Sequence, residues 1–345
     1  MQSLWVEARA HGQSGYGEGC PREYVTGESL VTALQFCSTH AQDWLVSISD
    51  LGALQGWAMA HPGDIEANPA AWTAVELALL DLIAKLQGVS VERLLGVPDV
   101  EGRFAYTAVL GDAVPAMFEA QLAHYLKAGF RDFKIKLSGV ASRDRAKVDA
   151  LEAAGIAGTA VRADANNLWK SADEALAALA ALAFSFHALE EPLSPGDYDG
   201  MSSIAAALET KIILDESVLR AGQLDALDAA SERWIVNLRV SKMGGVMRSL
   251  QMAAELRRRG VGLIVGAHVG ETSVLTRAAL TVANAAGDIL VAQEGAFGTH
   301  LLARDVVDPP LMFGAGGVLD ASAFRLRGGG WGLSIEASAS DFAAT

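Results

Sequence analysis

"FKIKL", residues Phe133–Leu137, is a short run, apolar at its edges, that reads as a β-strand. Lys134 and Lys136 stand two apart in it, and side chains two apart on a strand point to the same side. Ammonium groups that close repel each other, and burial penalises each of them separately. Either the strand is half exposed with a solvated lysine face, or it belongs to a site that uses cationic groups of lowered proton affinity. Its neighbours along the chain bear on the choice.

Similar runs recur on both sides: Phe104–Leu110, Phe133–Leu137, Ala160–Asp164, Phe186–Glu190, Lys211–Asp215, Trp234–Val240, Gly262–Gly266 and Ile289–Gln293. Ala/Leu-rich helical stretches separate them. Their midpoints fall about 24 to 28 residues apart, as one strand, one helix and two short loops require. Eight such units predict parallel strands joined by helical crossovers, and eight is the number that closes a (β/α) barrel. An open doubly wound sheet is the alternative. It usually shows a glycine-rich first βα turn, which this chain lacks.

Residues 1–100 read differently. "SLWVEARAHGQSGYGEG" (residues 3–19) has the pattern of a hairpin turning around Gly12–Gly15, followed by helical patterns at Gly27–Thr39 and Ala70–Leu86. That is an α+β module, bridged by "GVSVERLLGVPDVEGR" (residues 88–103) to a barrel over residues 101–320. The segment 321–345 contains "AFRLRGGGWGLSIE", which has strand character and is expected to fold back on the first module. Gly328–Gly330 lacks the strand-to-helix context of a phosphate loop and reads as a turn.

The chain has 345 residues, 51% of them hydrophobic, enough for a large core, and a formal charge of −14. That charge argues against nucleic acid as a partner. Arg257, Arg258 and Arg259 end a helical stretch, where cations complement the dipole. Cys20 and Cys37 have no metal-like spacing and read as free thiols of a reducing cytoplasm. No signal peptide and no spanning segment is evident, so the expectation is a cytoplasmic protein with no membrane partner.

Catalytic groups of such a barrel sit at the C-terminal ends of its strands. Seven consecutive ends here carry polar or ionisable residues: Lys134 and Lys136, Asp164 with Asn166, Glu190 and Glu191, Asp215 and Glu216, Lys242, His268, then Gln293 and Glu294. One acid at a strand end is usually a loop carboxylate or a helix cap. A full ring is hard to explain that way, because unpaired buried charge is expelled. Asp164, Glu190 and Asp215 are 26 and 25 residues apart, one per consecutive strand. Three hard oxygen ligands on adjacent strands suit Mg²⁺, with Mn²⁺ as the alternative, whereas zinc prefers nitrogen and sulfur. Lys136 precedes the acids and Lys242 follows them, so across a closed barrel the two lysines face each other over the ion. A divalent cation between two ammonium groups disfavours their charged forms, which suits a lysine to act as a base.

"KIK", "DANN", "EEP", "DES" and "SKMGG", in that order and spacing, resemble the enolase superfamily, and most closely its muconate-lactonising subgroup, which includes dipeptide epimerases, N-acylamino acid racemases, o-succinylbenzoate synthases and cycloisomerases. "GYGEGCPREYVTGES" and "AAWTAVELALLDLIAKLQG" resemble that family's capping domain. The resemblance implies a modified TIM barrel of (β/α)7β type under an α+β cap, with a small-molecule carboxylate substrate and further copies of the chain, in a homo-oligomer, as its partners. It implies Mg²⁺ held by Asp164, Glu190 and Asp215, with Asn166 and Glu216 supporting those ligands. Lys136 and Lys242 match bases on opposite faces of the substrate, which remove its α-proton to give an enediolate. Lys134 is expected to touch the substrate carboxylate.

The chain departs from the family pattern in two places. It opens almost directly at "LWVEARA", where relatives have an earlier strand and a mobile loop that closes over the substrate, so the cap is expected to lack its first strand. Strand seven carries His268, read either as a locally bonded rim residue or as a substrate contact. A histidine acid/base of the mandelate racemase kind needs an aspartate where this chain has the Lys242 region. Glu294 is positioned to bind a substrate amine. Racemisation or epimerisation of an N-acylamino acid or dipeptide is the leading reading. Cycloisomerisation or syn-dehydration would use the same residues, a Schiff-base lysine enzyme would leave three acids without a task, and a binding protein would need only the missing lid to explain it.

Overall fold

Strand pairing in the amino-terminal part is set by glycine. The computed structural model describes residues 2–227, 230–324 and 329–336. Strands β1 (Leu4–Ala10) and β2 (Gln13–Gly19) pair antiparallel. The hairpin turn is tighter than Gly12–Gly15: only His11 and Gly12 lie between the strands, both with positive φ, as a two-residue turn needs. Gly15, Gly17 and Gly19 are strand residues on one face. A Cβ on each would stand 1.9–2.1 Å from the carbonyl oxygens of Ala78, Ala74 and Ala70. They are glycines because the helix Pro69–Gln87 lies with its backbone directly on the strand.

The first expected helix runs Leu30–Ser47, started by a Ser29–Thr32 capping box. Two helices the sequence reading did not anticipate, Leu51–Ala60 and Pro62–Ala67, precede Pro69–Gln87. Asp50 caps the first of them, accepting from Ala53 N at 2.9 Å, and proline opens the second. Inside this layer Trp57 stacks on Trp72, ring centroids 4.5 Å apart.

The expected strand Phe104–Leu110 is two strands. β3 (Arg103–Ala105) pairs antiparallel with β12 (Val318–Asp320), while β4 (Ala108–Leu110) starts the barrel. The barrel continues with β5 (Phe133–Lys136), β6 (Val161–Asp164), β7 (Ala188–Glu190), β8 (Lys211–Leu214), β9 (Trp234–Arg239), β10 (Gly262–Gly266) and β11 (Leu290–Gln293). These eight form one parallel sheet in sequence order, and its two edges meet where Thr107 N donates to Gln293 O at 2.8 Å. Helices such as Pro115–Ala128, Val246–Arg259 and Ser273–Ala285 clothe the outside. Between β8 and β9 only 3₁₀ turns are described, and among the described residues no α-helix follows β11.

Alternation along the strands separates two cores. Phe133, Ile135, Val161, Ala163, Val236 and Leu238 face the helices, and Trp169, Trp234 and Met243 pack into the same core. Inside the barrel, Ala188, Ile213, Ile235, Ile264 and Ala292 form a small apolar plug under the β7–β11 side. Charged residues stand above it. Residues 329–336 lie against the cap: buried Trp331 donates from its backbone N to Asp81 Oδ1 at 2.8 Å and from Nε1 to Leu77 O at 3.1 Å. Gly329 and Gly330 turn with positive φ, whereas Gly328 falls outside the described residues. Among the described residues no helix is long and apolar enough to cross a membrane.

Candidate active site

Register places the polar residues at one end of the barrel. Lys136 pairs with Asp164 across β5 and β6, and Asp164 with Glu190 across β6 and β7. Asp215 follows β8 directly, and Lys242 sits in a single helical turn, Val240–Met243, after β9. Lys134, Lys136, Asp164, Asn166, Glu216, His268 and Glu294 line one cleft, with Tyr24 from the cap at its mouth. Glu190, Asp215 and Lys242 are buried beneath these lining residues.

The two lysines of "FKIKL" do share a face, at different depths. Lys134 is buried, with Nζ 2.5 Å from Glu190 Oε2, 3.0 Å from Glu294 Oε2 and 3.7 Å from Asp164 Oδ2. Burial works to lower its pKa, but Glu190, Glu294 and Asp164 together outweigh that and hold the ammonium firmly charged. In this arrangement its partners are acids, where the sequence reading gave it a substrate carboxylate. Burial pushes the Glu190 carboxyl up, against the pull of Lys134. Lys136 lies nearer the solvent, its side chain 40% exposed, 2.7 Å from Asn166 Oδ1 and 3.3 Å from Asp164 Oδ2. Asn166 reaches it from a positive φ, a conformation asparagine tolerates.

On the opposite side the groups are sealed. Lys242 Nζ donates to Asn237 O at 2.6 Å, Asp215 O at 2.7 Å and Asp215 Oδ1 at 2.8 Å, so its three donors meet three acceptors. Arg239 pairs with Asp215 Oδ2 and places Nη1 3.2 Å from His268 Nδ1. Although burial works to raise it, the Asp215 carboxyl is held well below the usual carboxylate range by Arg239 and Lys242. Burial and the Asp215 charge push the neighbouring Glu216 up to about 7.

Three residues at this end escaped the sequence reading. Arg239 and Asn237 share the inward face of β9, two and four positions after Ile235 of the apolar plug; counting by twos along "WIVNLR" finds them. Asn237 Nδ2 donates to Glu190 Oε1 at 3.0 Å. Glu271 lines the cleft and accepts from His268 N at 2.7 Å. Glu191, grouped with Glu190 by sequence, turns away through a positive φ and accepts from Asp215 N, Ser217 N and Ser217 Oγ, so it shapes the loop after β8.

Three buried carboxylates on consecutive strands form an all-oxygen donor set, the kind that suits a hard divalent ion such as Mg²⁺. Among the described residues no three Asp, Glu, His or Cys side chains converge closely enough to hold one, because Asp164, Glu190 and Asp215 are turned onto Lys134, Lys136, Arg239 and Lys242. Spare acceptor capacity is nonetheless present: Glu216 Oε2 and Glu294 Oε1 are buried without a hydrogen-bond partner. The residues fit the ion in donor chemistry.

Residues 117–339 match the model of the enolase C-terminal domain-like family. The chain is 31% identical to a hydrophobic dipeptide epimerase of Citrifermentans bemidjiense over 282 residues, 78% of this chain and 74% of that protein. It is 27% identical to an N-succinyl-L-Arg/Lys racemase of Bacillus cereus over 288 residues, 82% of this chain and 76% of that one. The crystal structure of a Methylococcus capsulatus dipeptide epimerase complexed with Mg ion superposes with a TM-score of 0.79 at 27% identity, covering 96% of this chain and 94% of that one. With the barrel, the cap and this ring of strand-end residues, the match shows that the chain belongs to the enolase superfamily, as an isomerase or lyase of its mandelate racemase/muconate-lactonising branch.

Proposed function

We propose that the protein racemises or epimerises a carboxylate at its α-carbon, acting on an N-acylamino acid or a dipeptide, with Lys136 and Lys242 as bases on opposite faces. The observation that carries this reading is the placement of Lys136 in the cleft on one side and of Lys242 buried beneath it on the other, with Asp164, Glu190 and Asp215 on the strands between them. The catalysed activities of the relatives, a dipeptide epimerase and an N-succinylamino acid racemase, support the substrate class.

Asp164, Glu190 and Asp215 would hold Mg²⁺, with Asn166 and Glu216 beside them. When bound, the ion supplies positive charge that stabilises the substrate carboxylate as negative charge develops on it. Lys136, open to the cleft, takes the α-proton on one face; the C–H bond breaks and its electron pair delocalises into the carboxylate. Lys242 returns a proton to the other face, which inverts the centre. Each lysine therefore alternates between acid and base according to the enantiomer bound. The half-buried mouth limits water around the reacting carbon, and Arg239 holds Asp215 in place beside Lys242.

The test is α-proton exchange in D₂O with Mg²⁺ across a panel of N-acylamino acids and dipeptides. Wild type is expected to exchange and racemise. K136M and K242M should each stop racemisation while leaving exchange of a single, opposite enantiomer. Absence of exchange with every member of the panel would sink the reading.

A further inference from the structure

His268 is held from two directions. Its backbone N donates to Glu271 Oε1 at 2.7 Å, and its ring Nδ1 lies 3.2 Å from Arg239 Nη1. A guanidinium carries N–H donors and no acceptor. Nδ1 must therefore present its lone pair, and the single proton of the neutral ring is on Nε2. Arg239 cannot easily be moved from this contact, because its other arm is paired with buried Asp215. Among the described residues the ring makes no other hydrogen bond, and His268 is buried yet lines the cleft.

We propose that His268 is a fixed neutral donor whose Nε2–H binds the carbonyl oxygen of the acyl or peptide group on the substrate's α-nitrogen, and that it takes no part in proton transfer. The proposal rests on the function given above and names the chemistry by which that site chooses its substrates. An N-acyl or peptide carbonyl brings an acceptor to this donor. A free α-amino acid brings an ammonium, donor against donor, and leaves Nε2–H unpaired in a buried place. The site thus favours acylated amino acids over free ones.

The charges around the ring agree. Burial, then Arg239 on β9, hold His268 well below the usual histidine range; Asp215 after β8 opposes, while Arg22 of the cap and Lys242 add to the depression. Glu271, in the same loop, is engaged with the backbone N.

The first test reads the tautomer without turnover. In the full chain labelled with ¹⁵N in its histidine rings and saturated with Mg²⁺, the resonances lost in H268Q identify His268 in long-range ¹H–¹⁵N correlation spectra. The expected pattern is an Nε2-protonated neutral ring, unchanged from about pH 6 to about pH 9. An Nδ1-protonated ring, or a titration within that range, overturns the proposal. The second test is kinetic. H268F should raise KM for an N-acylamino acid about ten- to a hundredfold with a much smaller change in kcat, and H268Q, which keeps an N–H donor near the same place, should recover most of it. A loss confined to kcat, or an unchanged KM in H268F, also overturns it. If wild type turns over no acylated substrate, the proposed function fails, while the tautomer measurement still decides whether His268 is a neutral donor.

Discussion

The two halves of the barrel mouth are built differently. Around β8–β10 the charged groups are sealed, and hydrogen bonds from the cap land on that half and the loops beside it. Cys20 N meets Ser241 Oγ, Arg22 meets Val269 O, Glu76 meets Met247 N and Glu18 meets Thr272. Around β4–β6 the mouth opens to solvent, and Lys136 stands there with its side chain 40% exposed against none for Lys242. Two lysines that the proposed reaction treats as mirror partners thus differ in what holds them. Lys242 is preorganised by a wall the cap supports, whereas Lys136 is positioned, among the described residues, by Asn166 and Asp164.

The largest consequence is for stability. K242M leaves the carbonyls of Asn237 and Asp215 and one carboxylate oxygen buried without their donor. It is expected to cost about 3–5 kcal/mol in urea unfolding. A loss below about 1 kcal/mol would mean that the sealed half is no more tightly built than the open one.

Mg²⁺ tests the middle of the ring. At about a hundred times its Kd, an ion bound only by the folded chain adds roughly 2.7 kcal/mol, visible as a rise in Tm that EDTA reverses. D215N should abolish that rise. A chain whose Tm ignores millimolar Mg²⁺ would contradict the assignment of Asp164, Glu190 and Asp215 as ligands.

A smaller effect concerns the cap's grip on the sealed half. Glu18 and Glu76 accept at the starts of helices Ser273–Ala285 and Val246–Arg259, and burial pushes both carboxyls up to about 7. A raised folded pKa means the native state holds protons that the unfolded chain, near 4.5, has released. Their contribution is full below about pH 4.5, falls as pH rises, and is gone above about pH 7, on the order of 3 kcal/mol per site. E76Q mimics the neutral acid and should flatten this slope. An unchanged slope would show that Glu76 does not titrate there.

How far the sequence carried this picture depends on the kind of signal. Barrel strands were legible because each is a short apolar run, seven of them with a polar or ionisable residue at the end; seven fall within the runs that "FKIKL" and its counterparts placed, and of the first run only Ala108–Leu110 joins the barrel. The helix Leu51–Ala60 was not, because its apolar residues are interrupted by Gly52, Gly56 and polar positions and its only clear marker is the Asp50 cap. "SKMGG" was recognised as a motif, yet its glycines acquire a reason only in three dimensions. Gly245 has a φ of 100°, and a Cβ there would stand 2.3 Å from Glu76 Oε1, so glycine lets the cap's carboxylate reach the helix start. The site residues were found as a list of strand ends. Which of them lie open and which are locked is a property of partners from distant segments, such as Asp215 for Lys242 and Glu294 for Lys134, that no local pattern encodes.

The smallest stability effect belongs to Lys136, and it separates the two halves most sharply. Its pairing with Asp164 is long, and water screens a side chain so exposed, so K136M is expected to cost under about 1 kcal/mol in the same urea experiment. Its effect on racemisation should nevertheless be about 10²–10⁴-fold, the range for loss of a positioned base. K242M, by contrast, should lose stability and turnover together. A K136M protein destabilised as much as K242M would erase the difference between the halves, and a K136M protein that still racemises would remove Lys136 from the chemistry. With folding intact and turnover gone, the open half is left with a single task, presenting a base that Asn166 aims and solvent leaves free to move.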